Sequence, residues 1–122
     1  MTKPEWKRKI KAATKKAGTY RPYFEYVIET LAGIMEARDF AQAKWDEEGK
    51  ETVVKHVNKA GAENLVKHPA LVVINDMNRD ALAYWRDLGL TPAGLKRINE
   101  EAMEADKADK ETFADVLKNI GV

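Results

Sequence analysis

The stretch DALAYWRDLGLTPAGLKRINEEAM, from Asp80 to Met103, contains the end of one helix and the start of the next. Gly89 follows a run of apolar residues at helical spacing, so it occupies the position at which a glycine commonly ends a helix. Two residues later, Thr91 is suited to cap a new helix, and Pro92 stands at the first helical position, where proline is tolerated. The sequence therefore predicts two helices that meet at a sharp corner around Gly89.

Helical patterns extend outward from this corner in both directions. The helix before the corner begins at Pro69 and ends near Leu88, and the third helix runs from Pro92 to about Asp106. Further upstream, apolar residues recur at helical spacing from Pro22 to Trp45, which predicts a first long helix. Gly33 lies inside that first helix, where it costs about 1 kcal/mol relative to alanine. We therefore expect close packing against another helix at Gly33.

A short β-hairpin is predicted between the two long helices. Thr52 to Val57 is rich in β-branched residues, Asn58 to Gly61 has turn composition, and Ala62 to Val66 can return as a second strand. Two helices of matched length joined in this way predict an antiparallel pair. The predicted fold class is mainly α, with a long antiparallel helix pair, a small β-hairpin insertion near residues 52–66, a third helix and a short C-terminal helix.

Length and composition limit the class of protein. A chain of 122 residues is sufficient for one domain with a modest core. It contains no cysteine, which excludes disulfides and thiolate metal sites and fits a reducing compartment. No apolar run approaches the roughly 18 residues of a membrane-spanning helix, so we expect no membrane partner.

The charge of the chain is distributed unevenly. Residues 1–21 contain eight Lys or Arg against one acid, Glu5, and therefore carry +7, whereas the net charge of +1 leaves −6 on the rest. This contrast predicts a basic N-terminal leader at 1–21, a helical oligomerisation core at 22–106 and an amphipathic C-terminal tail at 107–122. A basic arm on an acidic body is typical of a protein that touches a polyanion.

The leader supplies the predicted DNA contacts, which are Lys7, Arg8, Lys9, Lys11, Lys15 and Lys16. About six phosphate contacts would give a log–log salt dependence of binding with a slope near −5. Two alternatives remain open at this point. The leader can be a solvated, partly disordered segment, or Trp6 can pack on the body while the arm simply stays soluble.

The corner at Gly89 also invites a helix-turn-helix interpretation. In that motif, residues near the start of the second helix contact base edges in the major groove, and Lys96, Arg97 and Asn99 stand at this position. Several acidic residues follow at once, and carboxylates beside phosphates are repulsive. We therefore expect Lys96 and Arg97 to contribute less to DNA binding than the leader does.

Four segments of the chain, in the same order, resemble the small subunits of tailed-phage terminases. They are PEWKRKIKAATKKAGTY (Pro4–Tyr20), GTYRPYFEYVIETLAGIMEARD (Gly18–Asp39), AGAENLVKHPAL (Ala60–Leu71) and the Leu-Gly-Leu-Thr-Pro corner. The resemblance is weakest after about Met103. It implies a non-catalytic protein of the bacterial host cytoplasm that recognises double-stranded phage DNA, forms a homo-oligomeric ring and regulates the terminase large subunit.

The residues themselves agree with a non-catalytic role. His56 and His68 lack zinc-motif spacing, and no Walker-type glycine loop is present, so we expect neither a metal nor another cofactor. By the resemblance, ATPase and nuclease chemistry belongs to the large subunit.

The tail and the aromatic residues are the predicted protein contacts. The tail has an amphipathic pattern that is a candidate dock for the large subunit or can fold back on the core, and it comprises Phe113, Val116, Leu117 and Ile120. The helices carry more aromatic bulk than a small helical layer readily buries, so we expect some of it between subunits. Two rival functions remain: a dimeric helix-turn-helix transcription regulator, and a structural oligomeric module that does not bind DNA.

Overall fold

The structure is a computed structural model that describes residues 1–119. Four helices and one hairpin follow each other along the chain: α1 (Lys3–Ala17), α2 (Glu25–Glu47), β1 (Val53–Val57), β2 (Glu63–Lys67), α3 (Pro69–Asp87) and α4 (Pro92–Asn119). A short 3₁₀ turn, Pro22–Phe24, leads into α2. The mainly helical fold class and the small hairpin are thus confirmed.

The two long helices α2 and α3 run antiparallel, as predicted. His68, at the start of α3, contacts Glu48 at the end of α2, and Arg38 near the middle of α2 donates to Asn78 of α3 at 3.2 Å. The His68 ring also caps α3, because its Nδ1 accepts the backbone N–H of Ala70 at 3.0 Å. The hairpin between the helices pairs Lys55 with Leu65 at its centre.

The core lies where α1, α2 and the end of α3 meet. Ile10 of α1, Ile28 and Leu31 of α2, and Leu88 after α3 are each at most 1% exposed. Thr19, in the link after α1, is also buried, and its hydroxyl donates to the backbone carbonyl of Leu88 at 2.7 Å. Burying each large apolar side chain contributes about 1.5–3 kcal/mol, so α1 is held by the same core as the long helices.

The basic segment predicted as a leader therefore forms α1, which is packed along α2. Thr2 and Glu5 form a reciprocal capping box at its start, and Gly18 ends it in the left-handed conformation with φ +76°. Trp6 is half-buried against this core, so it packs on the body. The DNA contacts of the segment stay a prediction. The division into leader, oligomerisation core and tail stays a prediction.

The prediction of a third helix ending near Asp106 and a separate short C-terminal helix is wrong. A single helix, α4, continues to Asn119. No glycine or proline occurs between Gly94 and the end of α4, and the intervening residues are mostly strong helix formers. An ion pair between Asp106 and Lys110, at 3.3 Å, bridges the expected break with the spacing that favours a continuous helix.

Candidate nucleic-acid interface

The α1 helix divides its cations between two faces. Lys7 and Lys11 lie on the side of α1 that borders α2, where their ammonium groups are 3.8 and 2.7 Å from the carboxylate of Glu25. The hydroxyl of Tyr20 donates to the same carboxylate at 2.6 Å. These two lysines are therefore part of the attachment of α1 to the body.

The carboxylate of Glu25 is strongly stabilised in its charged form. Hydrogen bonds from Lys11 and then from Tyr20 lower the pKa of Glu25 from 4.5 to about 2. The same contact raises the pKa of Lys11 above its ordinary value, chiefly through the hydrogen bond to Glu25. Both shifts show that the charged forms of Lys11 and Glu25 stabilise each other.

We expect acid to weaken this attachment through Glu25. Because its folded pKa is lowered, the stabilisation is complete above about pH 4.5 and is lost as the pH falls towards about 2. Replacing the carboxylate in E25Q should lower the Tm near neutral pH. The Tm difference between wild type and E25Q, measured by circular dichroism as a function of pH, should shrink over that acidic range.

The control for this experiment is E47Q, since Glu47 is exposed and has no ion-pair partner in residues 1–119. Its Tm should follow wild type at every pH. A difference between E25Q and wild type that stays constant down to about pH 2 would contradict the role assigned to Glu25.

Lys3 also pairs with α2, through Glu29 at 3.7 Å, and the outer face of α1 carries the other four cations. We call the set Arg8, Lys9, Lys15 and Lys16, which surround Ala12, the basic ridge. All four cations are exposed, and none lies within ion-pair distance of a carboxylate in the part of the chain that the structure describes. The Lys9 ammonium lies 5.6 Å from the ring centre of Trp6, and that of Lys15 lies 5.1 Å from Tyr20. The aromatic rings hold these cations near α1 without neutralising them.

The structure thus separates the six predicted leader contacts into four free cations and two that are paired. The signal for this division was in the sequence of α2 and was missed. The acidic residues of α2 that meet α1 follow helical spacing, and they are Glu25, Glu29, Glu36 and Asp39. Their pattern predicts an acidic stripe on α2 that faces a basic partner helix.

The corner between α3 and α4 has the predicted geometry. Gly89 has φ +72°, and the Thr91 hydroxyl accepts the backbone N–H of Gly94 at 3.1 Å, which caps α4. Lys96 and Arg97 are both exposed on the first turns of α4. Each has an acidic neighbour within ion-pair distance: Glu100 at 3.9 Å from Lys96, and Asp87 at 3.3 Å from Arg97.

The predicted partner-binding residues of the tail lie on the exposed end of α4. Phe113, Val116 and Leu117 are 64%, 48% and 43% exposed, so this part of α4 does not fold back on the core. Ile120, the fourth predicted residue, lies outside the described residues. Leu117 and Val116 share a face with Phe113 because they follow it by one helical turn.

Two classes of site are not found in the described part of the chain. No group of three or more His, Cys, Asp or Glu side chains there is arranged to hold a metal ion. No helix within residues 1–119 is long and apolar enough to cross a membrane.

The fold and the interface together define a class: a small helical protein whose N-terminal helix presents unpaired cations from a packed body. The family model described as the small subunit of phage terminase matches residues 2–105. That match spans most of the 122 residues, and the chain belongs to this family. Neither the curated proteins nor the solved structures gave a match. The family match ends before Phe113, so the tail lies beyond it.

Proposed function

We propose that this chain binds double-stranded phage DNA through the basic ridge of α1, as the non-catalytic recognition component of a genome-packaging machine. Membership of the terminase small-subunit family supports the general role. In this role the protein acts in the bacterial host cytoplasm, needs no cofactor, delivers viral DNA to the terminase large subunit and regulates that motor.

The observation that carries the proposal is the set of four unpaired cations on one exposed helix face. Arg8 and Lys15 are seven residues apart, which is about 10 Å along a helix, and Lys9 and Lys16 repeat that spacing. A rigid helix that displays charges at fixed spacing can contact several phosphates at once. Such contacts position a protein on DNA and make its affinity depend on salt, but they do not read sequence.

The salt dependence of DNA binding should report how many phosphates the basic ridge contacts. In the double variant R8A/K16A, the log–log salt slope should become shallower by about 1.8 for each chain that contacts the duplex. The affinity should fall by a similar factor for unrelated duplex sequences, because phosphate contacts are removed. Fluorescence anisotropy with a labelled duplex, at several salt concentrations, measures both quantities.

The matched control is K7A/K11A, which removes the same charge from the same helix. Because Lys7 and Lys11 border α2 and share the carboxylate of Glu25, this variant should change the salt slope less than R8A/K16A does. Equal changes of slope in the two double variants would contradict the assignment to the outer face. A wild-type protein without salt-sensitive DNA binding would contradict the proposed function itself and favour a structural module that does not bind DNA.

The helix-turn-helix alternative rests on the corner at Gly89. The variant K96A/R97A tests it with the same assay. We expect little change, because Glu100 and Asp87 lie within ion-pair distance of these side chains and place negative charge where phosphates would approach. A large loss of affinity confined to this variant would indicate that α4 contacts the base edges, and it would favour a transcription regulator.

We also propose that the protein works as a ring. Large aromatic side chains are exposed on the single chain: Tyr23 is 73%, Tyr26 is 83% and Phe40 is 71% exposed. Aromatic residues are enriched where subunits meet, so these surfaces fit contacts between copies. The exposed apolar face of α4 at Phe113, Val116 and Leu117 is the proposed dock for the large subunit.

A further inference from the structure

Beyond its first turns, α4 is a helix without a partner in the part of the chain that the structure describes. Every described side chain from Asn99 to Lys118 is exposed. About twenty residues at 1.5 Å each make an arm of about 30 Å. Most helical stability in proteins comes from packing a face of the helix, so such an arm is expected to be covered by another molecule.

The arm has two different faces. At about 100° per residue, the apolar side chains Phe113, Val116 and Leu117 share one face. On the roughly opposite face lies an acidic ridge, which we define as Glu101, Glu104, Glu111 and Asp115 around the small residue Ala108. These four carboxylates are exposed and have no ion-pair partner within residues 1–119.

The acidic ridge of α4 is opposite in charge to the basic ridge of α1, and one interval within it has the seven-residue spacing of the basic ridge. Each ridge has four charges of one sign around a central alanine, Ala12 on α1 and Ala108 on α4. Glu104 and Glu111 are seven residues apart, as are Arg8 and Lys15. Two helices with alanine at their crossing point can approach closely while the charges on either side pair with each other.

Within one chain the two ridges do not meet. Both ridges are exposed, and no ion pair joins any cation of α1 to any carboxylate of α4 in the described residues. The complementary surface for each ridge must therefore come from another molecule. A second copy of this chain supplies both surfaces at once, the acidic ridge for one neighbour and the basic ridge for the other.

We propose that the acidic ridge of α4 docks on the basic ridge of α1 in the next copy of this chain. The contact is head-to-tail, and a head-to-tail contact closes into a ring when its rotation allows. This inference rests on the proposed ring and names a pair of surfaces within it. Because the apolar face of α4 points away from the docked face, Phe113, Val116 and Leu117 stay accessible to the large subunit.

The docking has a consequence for DNA. The arm and the phosphate backbone are both anionic, and both use Arg8, Lys9, Lys15 and Lys16. DNA and the neighbouring arm therefore compete for the same ridge. In a ring, many weak contacts of this kind act together, so DNA displaces the arms only where several ridges engage the duplex.

Cysteine cross-linking tests the docking on the full-length chain. The protein has no cysteine of its own, so the variants A12C and A108C each carry a single thiol. A disulfide between them requires their Cα atoms to come within about 7 Å. Under mild oxidant, an equimolar mixture of A12C and A108C should give at least about tenfold more mixed disulfide dimer than a mixture of A12C and A83C. The reason is that docked thiols have an effective concentration near the millimolar range.

Ala83 is the control position because it is an exposed alanine on α3, away from both ridges. The yield of mixed dimer should fall in about 0.5 M salt, which screens the charges, and in the presence of saturating duplex DNA. A yield no higher than that of the A83C control, or one unchanged by saturating DNA, would overturn the inference.

Charge reversal gives a second, independent readout. R8E/K16E and E104K/D115K should each lower the light-scattering mass in low salt, and mixing the two variants should restore it. Full wild-type mass in both separate variants, or no recovery on mixing, would overturn the inference. If the docking experiments fail while DNA binding remains salt-sensitive, only the docking inference is contradicted. If docking is observed but the protein does not bind DNA, only the proposed function is contradicted.

Discussion

The G94A variant should lose about 3 kcal/mol of unfolding free energy or more, although it adds only one methyl group. The Cβ of an alanine at position 94 would overlap the backbone carbonyl oxygen of Arg86, and it would be only 3.0 Å from the Arg86 Cα. Both are backbone atoms, so no side chain can rotate to make room. The first turn of α4 would have to move away from the last turn of α3. Urea unfolding followed by circular dichroism measures the loss.

The matched control is the same substitution at the other helix-interior glycine, G33A. There the added Cβ would meet only the Lys3 side chain, at 3.7 Å, which is an ordinary contact. Helix propensity then dominates, and G33A should gain up to about 1 kcal/mol. Equal effects of G94A and G33A would show that α3 and α4 do not make the close contact described here.

The local features of the fold could be predicted from the sequence because short-range chemistry determines them. Gly89, Thr91 and Pro92 each have a conformational preference that fits only one place at a helix end, and all three lie where they were predicted. Three of the four strand ends in the hairpin differ from the prediction by one residue, and Val57 ends the first strand as predicted. The close helix packing expected at Gly33 is not found, since an added Cβ would meet only the Lys3 side chain, at the ordinary contact distance of 3.7 Å.

Long-range pairing could not be predicted in the same way. The acidic spacing of α2 predicts a basic partner helix, but the cations of α1 that meet it follow from how the helices pack, and the contacts of Glu25 distinguish Lys7 and Lys11 from the basic ridge. The close contact at Gly94 likewise depends on how α3 and α4 cross. The length of α4 was predicted wrongly because its apolar spacing is interrupted near Asp106. Helix propensity and the Asp106–Lys110 ion pair keep the backbone helical across this interruption.

The I10A variant addresses the largest difference between the sequence prediction and the structure, which is the attachment of α1. Ile10 is 1% exposed and belongs to the core cluster that includes Ile28 and Leu31. Truncating a buried isoleucine to alanine removes apolar contacts and leaves a cavity, which costs about 2–5 kcal/mol. The free energy of unfolding in urea should fall by this amount, and the hydrogen-exchange protection of α1 should fall with it.

The control for I10A is F113A, because Phe113 is a larger apolar residue that is 64% exposed. It should change the unfolding free energy by no more than about 0.5 kcal/mol. If I10A were as mild as F113A, residues 1–21 would be a detached leader, and Lys7 and Lys11 would be as free to contact DNA as Arg8 and Lys16. If I10A is as costly as expected, the basic ridge is displayed on a helix fixed to the body. A defined salt slope requires that the basic ridge be fixed to the body in this way. The close approach of Ala12 to Ala108 of a neighbouring copy requires it too.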